Sequence, residues 1–303
     1  MQGDTNDTKT STQGDGDNKP ENDGMPDILI DPPLNTSGGE PHKEGFHKLE
    51  KFISRLCIGK GVIQEPWPKD AKLYQQIEDK QIILPDKANC LAVKTFLKMC
   101  NLEFDVEQRP NAEHMSPSRK VPFLKAGPFV VSELEGIAAF VNNKGITLTE
   151  KLDADMKSDM KAYMSLVSNV IETAELYICW MDNEIYNEVT SVRNGSIYPW
   201  PLNHIQNRAK RGQVIQKLKV LRWHTKTMQE VIQDVENCCQ ALSDRLEGEE
   251  YFFGTTPTEL DALIFGHLFT ILTTQLPKDD LANTIKKYPL LLKLVENIEK
   301  LYL

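Results

Sequence analysis

The sequence predicts an α+β protein in which a small domain of strands and helices is followed by an all-helical bundle. Three observations predict it. Residues 71–145 alternate between two-residue and 3.6-residue apolar periods and end in a hairpin pattern about Gly127. After Gly145 the strand patterns stop, and apolar positions recur at helical spacing to the end of the chain. Finally, Thr258-Glu259-Leu260-Asp261 and Tyr288-Pro289 each stand directly before an apolar helical run, as a capping box and a first-turn proline do.

Taken in order, residues 1–45 are rich in Asp, Asn, Gly, Thr and Pro, with Ile28-Leu29-Ile30 as their apolar cluster. They bury too little surface to offset chain entropy, so a disordered acidic tail is expected. Asp15-Gly16-Asp17 opens like a calcium loop, but Pro20 stands where an EF-hand needs glycine, which rejects that motif. Residues 46–70 read as an amphipathic helix and linker. Phe46, Leu49, Phe52, Ile53, Leu56 and Cys57 recur at helical spacing, with His47, Lys48, Lys51 and Arg55 between them. Such a stretch either docks on its own domain or lies on a membrane surface, and Phe46 and Phe52 are candidate partner contacts.

Within residues 71–145, Lys72–Gln76 read as a strand and the run from Cys90 to Cys100 as a helix capped by Asp86. Phe104–Gln108 read as a second strand, Val121–Ala126 and Phe129–Ser132 as a hairpin, and Glu133–Val141 as a helix. The order is βαβ followed by ββα. Within residues 146–303, Met156, Met160, Met164, Val167 and Ile171 keep a helical period, and so do Met228, Val231, Val235, Cys239 and Leu242. Arg193–Pro201 reads as a loop, because two prolines and a glycine break regular structure. On it, Tyr198 and Trp200 are candidate partner contacts, or else plug the side of the bundle.

The composition excludes several function classes. A net charge of -9 and a pI near 5.3 oppose nucleic-acid binding, which needs a basic face for phosphate. Cys57, Cys90, Cys100, Cys179, Cys238 and Cys239 lack paired spacing and fit a reducing compartment, with one of Cys238 and Cys239 facing the core and the other a flank. His114, His204, His224 and His267 stand at no metal-ligand spacing and Cys-x-x-Cys does not occur, so neither a metal nor a cofactor is expected. Neither a Gly-x-Ser-x-Gly elbow nor a phosphate-binding glycine loop occurs. Without an apolar run of spanning length, any membrane association is expected to be peripheral. The amino terminus resembles neither a signal peptide nor an Arg-rich presequence, so a mitochondrial location would be on the cytosolic side. The most basic stretch, residues 208–226, is either a solvated helix face or a contact for anionic head groups.

Three local features resemble the glutathione transferases. Lys120-Val121-Pro122-Phe123-Leu124 resembles the cis-proline segment of thioredoxin-like folds, which leaves the preceding backbone free to pair with a thiol peptide. The box from Thr258 to Asp261, between Tyr251-Phe252-Phe253-Gly254 and the apolar run Ala262–Leu268, resembles the buried capping element of that family's helical domain. Lys287-Tyr288-Pro289-Leu290 resembles the start of its last helix. The resemblance implies a thioredoxin-like N-terminal domain over 71–145 and a transferase-like bundle over 146–303, with Pro122, Thr258 and Asp261 as structural residues.

It also implies that the chemistry is gone. A transferase needs a hydroxyl or thiol at the start of its first helix and a serine after the hairpin for the γ-glutamyl carboxylate. Here Lys87 falls near the nucleophile position with Cys90 one turn inward, Glu133 is kept, and Leu134 replaces the serine. A leucine cannot donate to a carboxylate and leaves it unpaired at a cost of about 1 to 3 kcal/mol. Lys87, Cys90, Glu133 and Leu134 therefore make a degenerate glutathione site, and no catalytic residue is expected. Cys90 near a helix start is either an acidic, reactive thiol or an inert apolar one.

Longer strings resemble the second type of the metaxin family. They include Glu65-Pro66-Trp67-Pro68 with Leu73-Tyr74-Gln75-Gln76, Met115-Ser116-Pro117-Ser118, and Tyr198-Pro199-Trp200-Pro201-Leu202-Asn203-His204-Ile205. Farther on come Cys238-Cys239-Gln240-Ala241-Leu242-Ser243 and Thr270-Ile271-Leu272-Thr273-Thr274-Gln275-Leu276. This resemblance implies a non-catalytic subunit on the cytosolic face of the mitochondrial outer membrane, held there by a sister metaxin that carries the membrane anchor. It would help the sorting and assembly machinery and its β-barrel assembly channel insert precursors. Two alternatives remain at this level: a link to a mitochondrial motor-adaptor complex, and a glutathione-dependent transferase.

Overall fold

The computed structural model describes residues 66–303. The acidic tail and the stretch carrying Phe46, Phe52 and Cys57 lie outside the described residues.

A four-stranded sheet comes first along the chain, with its strands in the order β2-β1-β3-β4. Strand β1 (Lys72–Gln75) runs parallel to β2 (Asp105–Gln108), so the two need a crossover, which helix α1 (Leu84–Met99) supplies. On its other side β1 pairs antiparallel with β3 (Phe123–Ala126), placing Leu73 opposite Leu124, and both are fully buried. Strand β4 (Phe129–Ser132) returns from β3 through a tight turn in which Gly127 takes φ 60, a value open to glycine without a Cβ penalty.

Asp86 does not cap α1. The helix starts two residues earlier, after Ile83 in extended conformation, because Pro85 fits the first turn, where its missing N–H costs nothing. A single helical turn, α2 (Ala112–Met115), precedes β3; it is too short to show an apolar period. Helix α3 (Leu134–Asn143) follows β4 directly.

The helical half begins with α4 (Ala154–Val167), where the Asp153 carboxylate accepts from Met156 N at 2.8 Å. A π-helical turn, Ser168–Glu172, then runs into α5 (Thr173–Met181). The apolar period expected from Met156 onward therefore crosses a wider turn, and Met156 itself is exposed. After α6 (Asn183–Ile185) and a second π-helical turn, Tyr186–Thr190, comes α7 (Ser191–Gly195).

The loop expected from Arg193 thus begins at Ser196. Residues 193–195 stay helical because tertiary bonds hold them: Asn194 Nδ2 donates to Asn207 Oδ1 at 2.7 Å, and Asn207 Nδ2 to Ser191 O at 2.8 Å. Helices α8 (Leu202–Val220) and α9 (Met228–Leu246) follow, the second opened by a Thr227/Glu230 capping box. The chain closes with α10 (Glu259–Thr273), α11 (Asp280–Ile285) and α12 (Pro289–Tyr302), with Pro289 in the first turn of the last.

One apolar core runs through both halves, from Leu73, Val93 and Leu124 to Trp180, Leu242, Phe265 and Leu294. Helix α10 lies at its centre and is buried nearly all round, which matches its unbroken apolar sequence. Cys238 and Cys239 are both buried, rather than one flanking, because α9 packs against α11, α12 and the first π-helical turn.

Candidate functional site

A cleft of about 650 Å³ opens where the ends of the sheet strands meet the helical half. Its floor is apolar, with Val93, Met164, Trp180 and Leu263, while its walls carry charge from α1, α2, α3 and α8. Of the residues singled out from the sequence, Pro122, Glu133 and Leu134 line it, whereas Lys87 and Cys90 do not. The cleft face of the first turn of α1 presents Pro85, Asp86 and Asn89 instead.

The β3 edge is set by a cis Val121–Pro122 bond, and Glu133 N faces Pro122 O at 3.5 Å. Glu133 takes φ 65 and ψ 150, a region costly for a residue with a Cβ. Its carboxylate is spent on the Lys120 ammonium. Burial works against the Lys120 charge, but the hydrogen bond and the charge of Glu133 outweigh it and raise the lysine pKa. Next in the chain, Leu134 is buried and joins the core, so its side chain offers hydrocarbon where a hydrogen-bond donor would be needed to hold a carboxylate. The hydroxyl on this wall comes from Ser132, two residues before the position that alignment on the sequence assigns to a serine.

Two further wall lysines are paired as well. Lys210 of α8 pairs with Glu113 of α2, and Lys217 with Glu172 at 3.4 Å. These partners lie 97 and 45 residues apart, beyond any local pattern. Arg119, Glu135 and Asp86 line the cleft outside these pairs, and at Asp86 burial pushes the carboxyl up to about 7, against the pull of Lys210. Cys90 sits behind the wall in a small apolar cluster with Ile82, Ala112, Val121 and Phe123. Burial, with the nearby Asp86 charge, raises its thiol well above the ordinary range, the opposite of an activated thiolate.

The other structural residues are not among those that line the cleft. Thr258 and Asp261 are buried at the start of α10, where Asp261 Oδ2 accepts from Thr258 N at 2.8 Å and Thr258 Oγ1 at 2.7 Å. Asp261 Oδ1 accepts from Phe252 N at 3.0 Å, tying the preceding turn to the helix. Tyr198 is half-buried, while Trp200 is 79% exposed and does not plug the bundle. Arg193 is an anchor that sequence reading passed over: its guanidinium donates to Ile82 O at 2.7 Å and Glu78 O at 2.6 Å. Among the described residues, no group of His, Cys, Asp or Glu is placed to hold a metal ion, and no helix is long and apolar enough to cross a membrane.

Comparison with known proteins places this geometry. Residues 90–211 match the family described as outer mitochondrial membrane transport complex protein, and residues 235–298 match the glutathione S-transferase C-terminal domain. The chain is 51% identical to mouse and to human metaxin-2, over 84% of its own length and 94% of theirs. It is 39% identical to a metaxin-2 homolog of Caenorhabditis elegans, over 68% of its length and 90% of that protein. Among solved structures, a glutathione S-transferase of Ceriporiopsis subvermispora in complex with glutathione superposes with a TM-score of 0.52 at 11% identity, covering 78% of this chain and 98% of that one. At that identity the likeness is one of fold.

Proposed function

Because the chain belongs to the metaxin family, and within it to the metaxin-2 branch, we propose that it is a non-catalytic subunit of the protein transport machinery of the mitochondrial outer membrane. In this reading it sits peripherally on the cytosolic face. A sister metaxin with a membrane anchor holds it there, and together they assist the β-barrel assembly channel.

The observation that carries the non-catalytic reading is the state of the cleft. Leu134 fills the carboxylate position with hydrocarbon, and Lys120, Lys210 and Lys217 are already engaged by Glu133, Glu113 and Glu172. With these three lysines engaged, the cleft keeps only the exposed Arg119 as a cation outside an ion pair among the described residues and no donor at residue 134, and the Cys90 thiol behind the wall is pushed by burial away from the thiolate. What remains for function is surface.

Crosslinking with mass spectrometry on intact mitochondria tests the assembly. The expected result is a set of crosslinks from this chain to an anchored metaxin and to the β-barrel channel; their absence, with other outer-membrane crosslinks recovered, would sink it. Retention on immobilised glutathione with turnover abolished by Cys90→Ala would overturn the non-catalytic assignment.

A further inference from the structure

We propose that the outward face of α8, with the loop before it, docks on an anionic phospholipid surface. Residues 189–229 contain eight Lys and Arg and no Asp or Glu, in a chain whose net charge is -9. Most of these cations have structural work. Arg193 holds two carbonyls, Lys210, Lys217 and Lys226 pair with Glu113, Glu172 and Asp234, and Arg211 stacks on Tyr186. The other three, Arg208, Lys219 and Arg222, are exposed and form no ion pair among the described residues, and the first two lie on α8 itself.

Helix geometry puts these two beside exposed hydrocarbon. Asn207, Val214 and Leu218 are buried and define the inner face of α8. At ~100° per residue, Leu202, Ile205 and Val220 fall on the opposite face, and Arg208 and Lys219 share one flank beside Ile205. Ile205 is 60% and Val220 82% exposed, and Trp200, 79% exposed, directly precedes the helix. Large apolar side chains left in water this way are the mark of a surface that is covered in use.

The charge decides what covers it. A protein partner would be met by the apolar side chains alone and would not require that acid be excluded from forty-one successive residues. A phosphate surface does. Tryptophan favours head-group depth, aliphatic side chains favour the acyl boundary, and unpaired cations favour anionic lipid. The acidic remainder of the chain is repelled by the same surface, which orients the molecule with α8 toward it. The inference rests on the outer-membrane reading only for where such a surface is met; the binding itself is a property of this chain.

The test is flotation of the full chain with phosphatidylcholine vesicles, with and without phosphatidylinositol. The expected result is binding only to the anionic vesicles, weakened as salt rises. Arg208→Glu with Lys219→Glu, and separately Trp200→Ser, are each expected to weaken binding by at least ~10-fold. Lys98→Glu with Lys300→Glu makes the same change in net charge away from this face and is expected to leave binding intact. All these positions are exposed, and circular dichroism verifies that each variant is folded. The proposal is overturned if the unmodified chain stays free of anionic vesicles, if the face variants float like it, or if the control pair weakens binding as much. It is also overturned if the face variants lose crosslinks to a protein neighbour while still binding lipid. Absent vesicle binding leaves the transport role standing, since crosslinks alone read that role.

Discussion

Gly266 of α10 meets Ala92 of α1 so closely that a Cβ added to the glycine would lie 2.6 Å from the Ala92 Cβ and N and from Ala88 O. Two of those three atoms are backbone and cannot rotate away. This contact lets the central helix of the bundle press against the crossover helix of the sheet and makes one core of two halves. Gly266→Ala should therefore destabilise the protein by roughly 3 kcal/mol. In an unobstructed helix interior the same change stabilises by about 1 kcal/mol, so the sign of the shift in urea denaturation is itself decisive.

Asp261 is expected to matter more than an ordinary helix cap. Its carboxylate takes two bonds from Thr258 and one from Phe252 N, all buried. Truncation leaves those donors without partners in a place water does not reach. Asp261→Ala should cost about 3 kcal/mol, against about 1 kcal/mol for an exposed cap such as Asp153→Ala. Equilibrium unfolding of the two variants side by side would decide it, and equal losses would refute the distinction.

What was legible in the sequence is what local rules determine. The strands of the sheet, the hairpin at Gly127, the capping box at Thr258 and the start at Pro289 depend on neighbouring residues, and the structure places each where its pattern lies. Asp86 was misread because a good capping residue next to a proline loses to the proline. The helical turn at Arg193–Gly195 escaped because Asn207, in the next helix, sustains it. The cleft is only partly legible: Glu133 and Leu134, which line it, stand out through the resemblance to the transferase motif after the hairpin, whereas Lys87 and Cys90, from the same resemblance, do not line it. The pairing of Lys210 with Glu113, far off in sequence, belongs to the fold alone.

The thiols yield a prediction about reactivity. Cys90, Cys179, Cys238 and Cys239 are buried, and burial lifts the last three to about 12. Alkylation needs thiolate, so at neutral pH these four should react only as fast as the fold opens. Pulsed alkylation followed by peptide mapping should show all four labelled together on adding denaturant. Fast labelling of Cys90 in the native protein would contradict its placement behind the cleft wall.

Asp86 sets the final expectation, a pH dependence. Burial raises its pKa from 3.8 to about 7, opposed by Lys210 and reinforced by Glu113 and Glu172. A carboxyl with a raised folded pKa contributes its full stability below its unfolded value, and that contribution is lost as pH rises through the folded one. The ionised group is therefore a burden at pH 8 and none near pH 4. Asp86→Asn removes the titration, so the variant should gain on the unmodified protein as pH rises from about 4 to about 8. The gain should level off at about 2 kcal/mol, less than the full shift implies, because the side chain is partly exposed and its charge favours the helix N-terminus. Some pH dependence should persist in the variant. The buried pair His267 Nδ1 and Glu175 Oε1, 2.9 Å apart, also holds its proton to higher pH: burial disfavours the imidazolium, but the adjacent carboxylate more than offsets this. Denaturation midpoints at several pH values would decide the point, since parallel curves for the two proteins would show that Asp86 is not desolvated in the fold.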